Sequence, residues 1–206
     1  MNKRVLILFT ALLLFLPLPA LAVPSAIDQV RATVNQVLEV LRNKGLDETA
    51  RREQLRTLVR ARFDFALMSQ WTLGTYWRQA NPDQQQRFIG LYSDLLETSY
   101  LGKIEAYTDE KVNFLSERVE DRRAEVETEI VTAQANIPLS YRLNLEGTEW
   151  KVYDVVIEGV SLVRTYRGSF GEIARKDGIE GLLKKVAQKV EEQRQARAAR
   201  KGEGEE

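Results

Sequence analysis

The stretch WKVYDVVIEGVSLVRTYRGSF, residues 150–170, decides the fold of this chain. Its first half, from Trp150 to Glu158, is rich in β-branched and aromatic residues and is apolar on both faces of a period-two pattern. Such a pattern predicts a central strand that is covered on both sides. Gly159 then permits a sharp change of direction. From Ser161 the apolar residues recur about every 3.6 positions, which predicts an amphipathic helix that folds back over the strand.

Strict alternation along this strand places Val152 and Val156 on one face. It places Tyr153, Val155 and Ile157 on the other. The space between this strand and the helix that follows is therefore bounded by apolar side chains. That space is either a close-packed core or a cavity, and the function of the protein depends on which of the two it is.

The remaining elements follow from periodicity and from capping residues. Four helices are predicted ahead of the strands: one from Ser25, one capped by Asp47, one that begins around Asp64 and one capped by Asn81. Period-two patterns then predict four strands, over residues 111–119, 125–134, 139–145 and 150–158. Short connections between successive strands indicate an antiparallel sheet, and the order of helices, strands and helices indicates an α+β fold.

Residues 1–22 are typical of a secretory signal peptide. A basic Asn-Lys-Arg segment at 2–4 precedes an apolar run at 5–16, and Ala-Leu-Ala at 20–22 provides the small residues at which signal peptidase cuts. An uncleaved membrane anchor is the alternative, but the apolar run is short for a bilayer and two prolines interrupt it. We expect cleavage after Ala22 and export of the mature chain.

The mature chain is expected to form one domain over residues 23–190. From Glu191 onward the residues are charged or small and have no apolar period. This composition predicts a frayed helix that passes into a charged, disordered tail over residues 191–206.

The composition argues against several functional classes. The chain has no cysteine and no histidine, so we expect no disulfide, no zinc site and no histidine-based catalytic triad. Without the signal peptide, 28 lysines and arginines face 30 acidic residues, which gives a net charge of about −2. This charge does not favour nucleic acid as a partner, nor stable adsorption to anionic headgroups. We expect no metal and no cofactor.

Asp154 is the one acidic residue in the centre of the apolar strand. A buried carboxylate needs a partner, and the favoured interpretation is an ion pair with Arg142, Arg164 or Arg167. The alternative is a general base with a raised pKa, in a small α+β enzyme that acts on a hydrophobic substrate. A third possibility is an exported adaptor protein whose aromatic residues fill an ordinary core.

Three segments in this order resemble the MlaC family: FDFALMSQWTLGTYWRQANPDQQQRF at 63–88, LLETSY at 95–100, and the stretch at 150–170. This family comprises the periplasmic phospholipid-binding proteins of the Gram-negative lipid-asymmetry pathway, also called toluene-tolerance proteins. The resemblance implies a helical layer packed on a curved four-stranded antiparallel sheet, similar to the NTF2-like cone. It also implies a carrier without catalytic residues. Such a carrier shuttles a phospholipid with two acyl chains between an outer-membrane lipoprotein complex and an inner-membrane ABC transporter that has an MCE-domain ring.

A carrier of this kind needs an apolar cavity, with a volume near the upper end of the usual range of about 300–1,000 Å³. From face and period, the residues expected to line it are Leu73, Trp77, Phe88, Tyr100, Tyr141, Leu143, Tyr153, Val155, Ile157, Leu162, Tyr166 and Phe170. Arg142, Arg164 and Arg167 are expected at the mouth, where a guanidinium can meet a lipid phosphate. After signal cleavage we expect no stable insertion into a membrane.

Overall fold

The computed structural model describes residues 23–107 and 111–203, with side chains described up to residue 199. The predicted signal peptide lies outside the described residues. The helices are α1 (Ala26–Arg42), α2 (Glu48–Arg62), α3 (Phe65–Leu73), a short 3-10 helix (Gly74–Arg78), α4 (Pro82–Glu105) and α5 (Leu162–Glu203). The strands are β1 (Lys111–Glu120), β2 (Arg123–Val131), β3 (Asn136–Glu146), β4 (Glu149–Ile157) and β5 (Val160–Ser161). This order confirms the α+β class.

The first four helices begin at the positions that the sequence predicted. Ser25, Asp47, Asp64 and Asn81 each accept a hydrogen bond from a backbone N–H in the first turn of their helix. At α4, the Gln84 side chain also accepts from the Asn81 backbone N–H at 3.0 Å, which completes a capping box. Because each cap satisfies backbone donors that the helix itself cannot, these starting points can be read directly from local sequence.

The sheet is an antiparallel meander in the order β1-β2-β3-β4-β5. All four predicted strands are present, and a fifth follows them. Glu158 and Gly159 adopt positive φ angles of 51° and 80°, so the chain reverses over two residues and Ile157 pairs with Val160. The sheet therefore has five strands rather than the predicted four, because this turn leaves two residues in register with β4 before α5 begins.

A β-bulge in β4 changes which side chains share a face. The register between β3 and β4 skips Tyr153, which is the extra residue. As a result Val152 and Val155 face the same cavity, whereas Tyr153 packs against Trp71 with ring centroids 5.1 Å apart. Strict alternation places Tyr153 on the face of Val155 and Ile157; this prediction is wrong, because one inserted residue reverses the facing of every position beyond it.

Most of the buried apolar side chains form two clusters. One contains the aromatic side chains of Phe88, Tyr92, Tyr166 and Phe170, whose ring centroids lie 5.3 to 5.9 Å apart. Tyr153 belongs to the same buried group, which also includes residues of α3 and of the second half of α5. In the other cluster, residues of α1 pack towards β2, β3 and β4. Helices α3, α4 and α5 thus share one core, and α1 shares another with the sheet.

Helix α5 is interrupted at Gly178, where φ is 70° and ψ is −177°. Beyond this break the helix continues to Glu203, where the sequence predicted a frayed and then disordered tail from Glu191. Polar contacts with α4 accompany this order: the Gln193 amide donates to Ser99 at 3.1 Å and Arg194 pairs with Asp94 at 2.9 Å. A helical segment that makes polar contacts of this kind has no periodic pattern of apolar residues by which the sequence could indicate it. No helix in the described ranges is both long and apolar enough to cross a membrane.

Candidate ligand-binding cavity

A cavity of about 470 Å³ lies between the sheet and helices α1, α2 and α4. Its walls are almost entirely aliphatic and aromatic. The helices contribute Val30, Val34, Val37, Leu38, Val59, Leu96, Leu101 and Ile104, and the sheet contributes Ile130, Ile137, Leu139, Leu143, Val152, Val155 and Ile157. The volume falls in the lower half of the range for small-molecule sites, about 300–1,000 Å³, and below the upper end that the sequence led us to expect.

The cavity is hollow because short side chains face each other across it. Helix α1 presents valines at helical spacing towards a sheet face of valine, leucine and isoleucine. In the first half of α4, Phe88 and Tyr92 turn towards α5 and not towards α1. In its second half α4 presents Leu96, Leu101 and Ile104 to the cavity, together with Tyr100. The aromatic side chains of Phe88 and Tyr92 are thus packed away from the cavity, in the cluster with α5.

One end of the cavity is closed and the other is open to solvent. At the closed end the Trp150 backbone N–H donates to the Gln29 side chain at 3.0 Å, and the Trp150 indole donates to the Pro24 carbonyl oxygen at 3.0 Å. At the other end lie Lys103 in the last turn of α4 and Glu158 in the β4–β5 turn, which are the two exposed residues among those that line the cavity. A ligand therefore has access at this end.

The outer wall of the cavity, helix α2, is tied to α4 by charged groups. The guanidinium groups of Arg56 and Arg60 donate to the two oxygens of Glu97 at 2.9 and 2.5 Å, and Arg52 forms a two-pronged pair with Glu105. The hydrogen bond to Glu97 is the main reason why the pKa of Arg60 is raised. Leu55 is the one fully buried apolar residue of α2. Helix α2 is thus held by charged pairs to α4 and by this leucine, which packs with Leu41 of α1 and Leu101 of α4.

A family model described as MlaC protein matches residues 31–188, which include all the residues that line the cavity except Gln29 and Val30. The chain belongs to the MlaC family.

Two curated relatives and one solved structure resemble the chain. It is 27% identical over 122 residues to the intermembrane phospholipid transport system binding protein MlaC of Haemophilus influenzae, covering 56% of this chain and 57% of that protein. It is 27% identical over 105 residues to toluene tolerance protein ttg2D of Pseudomonas putida, covering 50% and 49%. The chain thus spans about half the length of the curated relatives it matches. A phospholipid-binding protein from Ralstonia solanacearum, solved in complex with a phospholipid, is 25% identical with a TM-score of 0.76, over 82% of this chain and 99% of that one.

The structure brings together half of the residues that the sequence placed in a lipid-binding site of MlaC type. Those that line the cavity are Tyr100, Tyr141, Leu143, Val155, Ile157 and Leu162. The others lie in or against the buried group that α3, α4 and α5 form, namely Leu73, Trp77, Phe88, Tyr153, Tyr166 and Phe170. The residues of the cavity and those of the other buried group follow the same apolar periodicity. The sequence therefore does not separate them, because the bulge at Tyr153 cannot be recognised from it.

The residues of the cavity that the sequence did not predict lie on α1, α2, α3, α4 and the sheet. Helix α1 provides seven of them, including Val34 and Val37, and α2 provides Val59. The period of an amphipathic helix shows which face is apolar, but it does not show whether that face lies against a cavity or a filled core.

The three arginines expected at the mouth do not line the cavity. Arg142 pairs with Asp154 at 3.2 Å and with Glu125 at 3.5 Å. Arg164 and Arg167 are exposed residues of α5, and the Arg167 guanidinium packs over Gly74. The alternation that placed Tyr141 towards the cavity necessarily turns its neighbour Arg142 away.

Asp154 is a structural residue in this arrangement. Its Oδ2 accepts from the Ser161 hydroxyl at 2.6 Å and from Arg142 at 3.2 Å, and its Oδ1 accepts from the Val163 backbone N–H at 3.1 Å. The carboxylate therefore joins β3, β4 and the first turn of α5, and the predicted ion pair with Arg142 is present. Asp154 is not among the residues that line the cavity. Within the described ranges, no cluster of three potential ligands could hold a metal ion.

Proposed function

We propose that this chain is a periplasmic phospholipid carrier that holds the acyl chains of one lipid in the cavity between the sheet and α1, α2 and α4. The observation that carries the proposal is an apolar cavity of about 470 Å³ that is open at one end. The likeness to a protein solved with a phospholipid supports it. The enzyme alternative lacks such support, because Asp154 faces away from the cavity and both of its oxygens are engaged.

The physics of lipid transfer requires such a site. A phospholipid with about thirty chain methylenes loses on the order of 20 kcal/mol when its tails enter water, at about 0.8 kcal/mol per methylene. An apolar pocket removes most of this barrier. Because bilayer and pocket are both hydrocarbon-like, the free energy of net transfer between them lies near zero. The direction of transfer is therefore set by partner affinities or by ATP used elsewhere. The partners we propose are an outer-membrane lipoprotein complex and an inner-membrane MCE-domain ABC transporter, which together maintain outer-membrane lipid asymmetry.

A two-chain lipid requires more room than the cavity has in this state, so the wall must move. Helix α2 is the element suited to this movement, because Leu55 is its one fully buried apolar residue. The side chains of Arg56 and Arg60 are 38% and 49% exposed, and Glu97, which is buried between the helices, gains contact with water as α2 moves. We propose that α1 and α2 move away from the sheet as the tails enter.

The open end is the place for the headgroup. Lys103 is exposed there, and its ammonium group lies 5.2 Å from the centroid of the Tyr100 ring, so it reaches inward from the rim. We place the lipid phosphate beside Lys103, in the role that the sequence assigned to Arg142, Arg164 and Arg167.

Native mass spectrometry of the mature chain, purified from a Gram-negative host without added detergent, tests this function. We expect an adduct with the mass of one diacyl phospholipid per chain, and organic extraction should release that lipid. A chain that is folded and free of lipid, and that does not take up phospholipid when mixed with vesicles, would contradict the proposal and favour a protein-binding adaptor.

A further inference from the structure

Tyr141 brings a hydroxyl group to the apolar cavity. It pairs with Val126 on β2 and with Val155 on β4. Two residues before it on β3, about 7 Å away, Leu139 pairs with Ile157, which precedes Glu158 of the open end, so Tyr141 lies just inside that end. Its side chain lines the cavity. The sequence placed this residue on the correct face, but gave no reason for a tyrosine where a phenylalanine packs equally well.

The environment of Tyr141 indicates that its ring faces hollow space. Loss of solvent raises the pKa of Tyr141 to about 12, and burial is the single cause of the shift. The residue nevertheless keeps part of its accessible surface. A side chain that is surrounded by protein and still accessible faces the cavity itself, so its hydroxyl is available to whatever occupies that space.

Several other polar groups that line the cavity have partners in the protein. Thr33 donates to the Gln29 carbonyl oxygen at 2.9 Å, Tyr100 is hydrogen-bonded to Tyr166, and Glu97 accepts from two arginines. In the described part of the chain, no protein group is hydrogen-bonded to the Tyr141 hydroxyl. When a ligand fills the cavity this hydroxyl loses its access to water, and a buried hydroxyl without a partner is unfavourable, so this donor is expected to find an acceptor in the ligand.

The ligand proposed for this cavity offers one kind of acceptor at the right place. In a diacyl phospholipid the polar atoms that adjoin the hydrocarbon are the two ester carbonyl oxygens, which accept hydrogen bonds and cannot donate them. We infer that the Tyr141 hydroxyl donates a hydrogen bond to an ester carbonyl oxygen of the bound lipid, and that Tyr141 thereby selects ester-linked over ether-linked phospholipids. This inference rests on the proposed function and adds a specificity to it.

Competition between two matched lipids tests the inference. The probes are diacyl and dialkyl phosphatidylethanolamine of equal chain length, which differ in the carbonyl groups alone, offered as an equimolar mixture to delipidated protein. Native mass spectrometry then gives the ratio of the two complexes. We expect the wild type to prefer the diacyl lipid about five- to tenfold, the value of one ordinary hydrogen bond. We expect Tyr141→Phe to bind both lipids with a ratio near one, and Tyr76→Phe, a tyrosine outside the cavity, to behave as the wild type.

A second readout reports the bond itself. With a carbon-13 label in the ester carbonyls, the infrared carbonyl band of the bound lipid should lie at a lower frequency in the wild type than in Tyr141→Phe. Equal binding of both lipids by the wild type, or an unchanged preference and carbonyl band in Tyr141→Phe, overturns the inference and leaves the carrier function standing. Failure of the wild type to bind either lipid overturns the carrier function as well.

Discussion

Replacement of Val155 by tryptophan is expected to expel the bound phospholipid while the chain remains folded. Val155 lies on β4, is 8% exposed and lines the cavity opposite the helices. An indole at this position projects into space that the acyl chains are proposed to occupy. If the indole displaces three methylenes of the lipid into water, the free energy of lipid binding is reduced by about 2.4 kcal/mol, which corresponds to roughly fifty-fold weaker binding. The readout is the lipid-to-protein ratio by native mass spectrometry, with circular dichroism as the check on folding.

The chain offers a matched control for this substitution. Val160 lies on β5, next to the end of β4, and is 57% exposed, so Val160→Trp introduces the same side chain into solvent and should retain lipid. Leu143→Trp provides a second position on the cavity face, from β3. A Val155→Trp protein that is folded and still carries one phospholipid per chain would refute the placement of the tails.

Replacement of Asp154 by alanine is expected to cause a large loss of stability. The carboxylate is 3% exposed and accepts three hydrogen bonds, from Arg142, Ser161 and the backbone of Val163. Removal of one partner from a buried ion pair costs about 3 kcal/mol or more, and the loss of a helix cap adds about 1 kcal/mol. For a domain of this size the melting temperature should fall by about 8 to 15 °C in thermal unfolding.

Glu125 is the matched control, because it is the second carboxylate that pairs with Arg142 but is more exposed, with 29% of its side chain accessible. Glu125→Ala should therefore have a much smaller effect on the melting temperature. Equal melting temperatures for Asp154→Ala and the wild type would show that the buried carboxylate contributes nothing to the stability of the fold. Asp154→Asn keeps the side-chain shape, and we expect it to bind lipid normally; loss of binding in that variant would instead point to a role in the site.

Local features of the fold could be predicted from the sequence, because single residues determine them. The caps at Ser25, Asp47, Asp64 and Asn81 satisfy backbone donors of the turn that follows, and the period-two strands need no distant partner to be recognised. The break in α5 at Gly178 is also a local feature, because a positive φ angle favours glycine.

The division between the cavity and the aromatic cluster could not be predicted, because it depends on how the layers meet. The bulge at Tyr153 arises from the pairing of β3 with β4 and leaves no mark in the period of β4 itself. Phe88 and Phe170 satisfy the same periodic rule as Leu143, although they pack in the other buried cluster. The contacts of α5 beyond Glu191 likewise involve polar partners about a hundred residues away, such as Asp94 for Arg194.

The central claim is that hydrocarbon tails occupy the hollow between α1, α2, α4 and the sheet. The most direct measurement is a crystal structure of the mature chain with its bound lipid. The account predicts density for two acyl chains in contact with Val34, Leu143 and Val155, in a cavity that has grown beyond about 470 Å³ through movement of α1 and α2. Lipid density against the aromatic cluster of Phe88 and Phe170, or a cavity that stays closed and empty while lipid binds elsewhere, would contradict it.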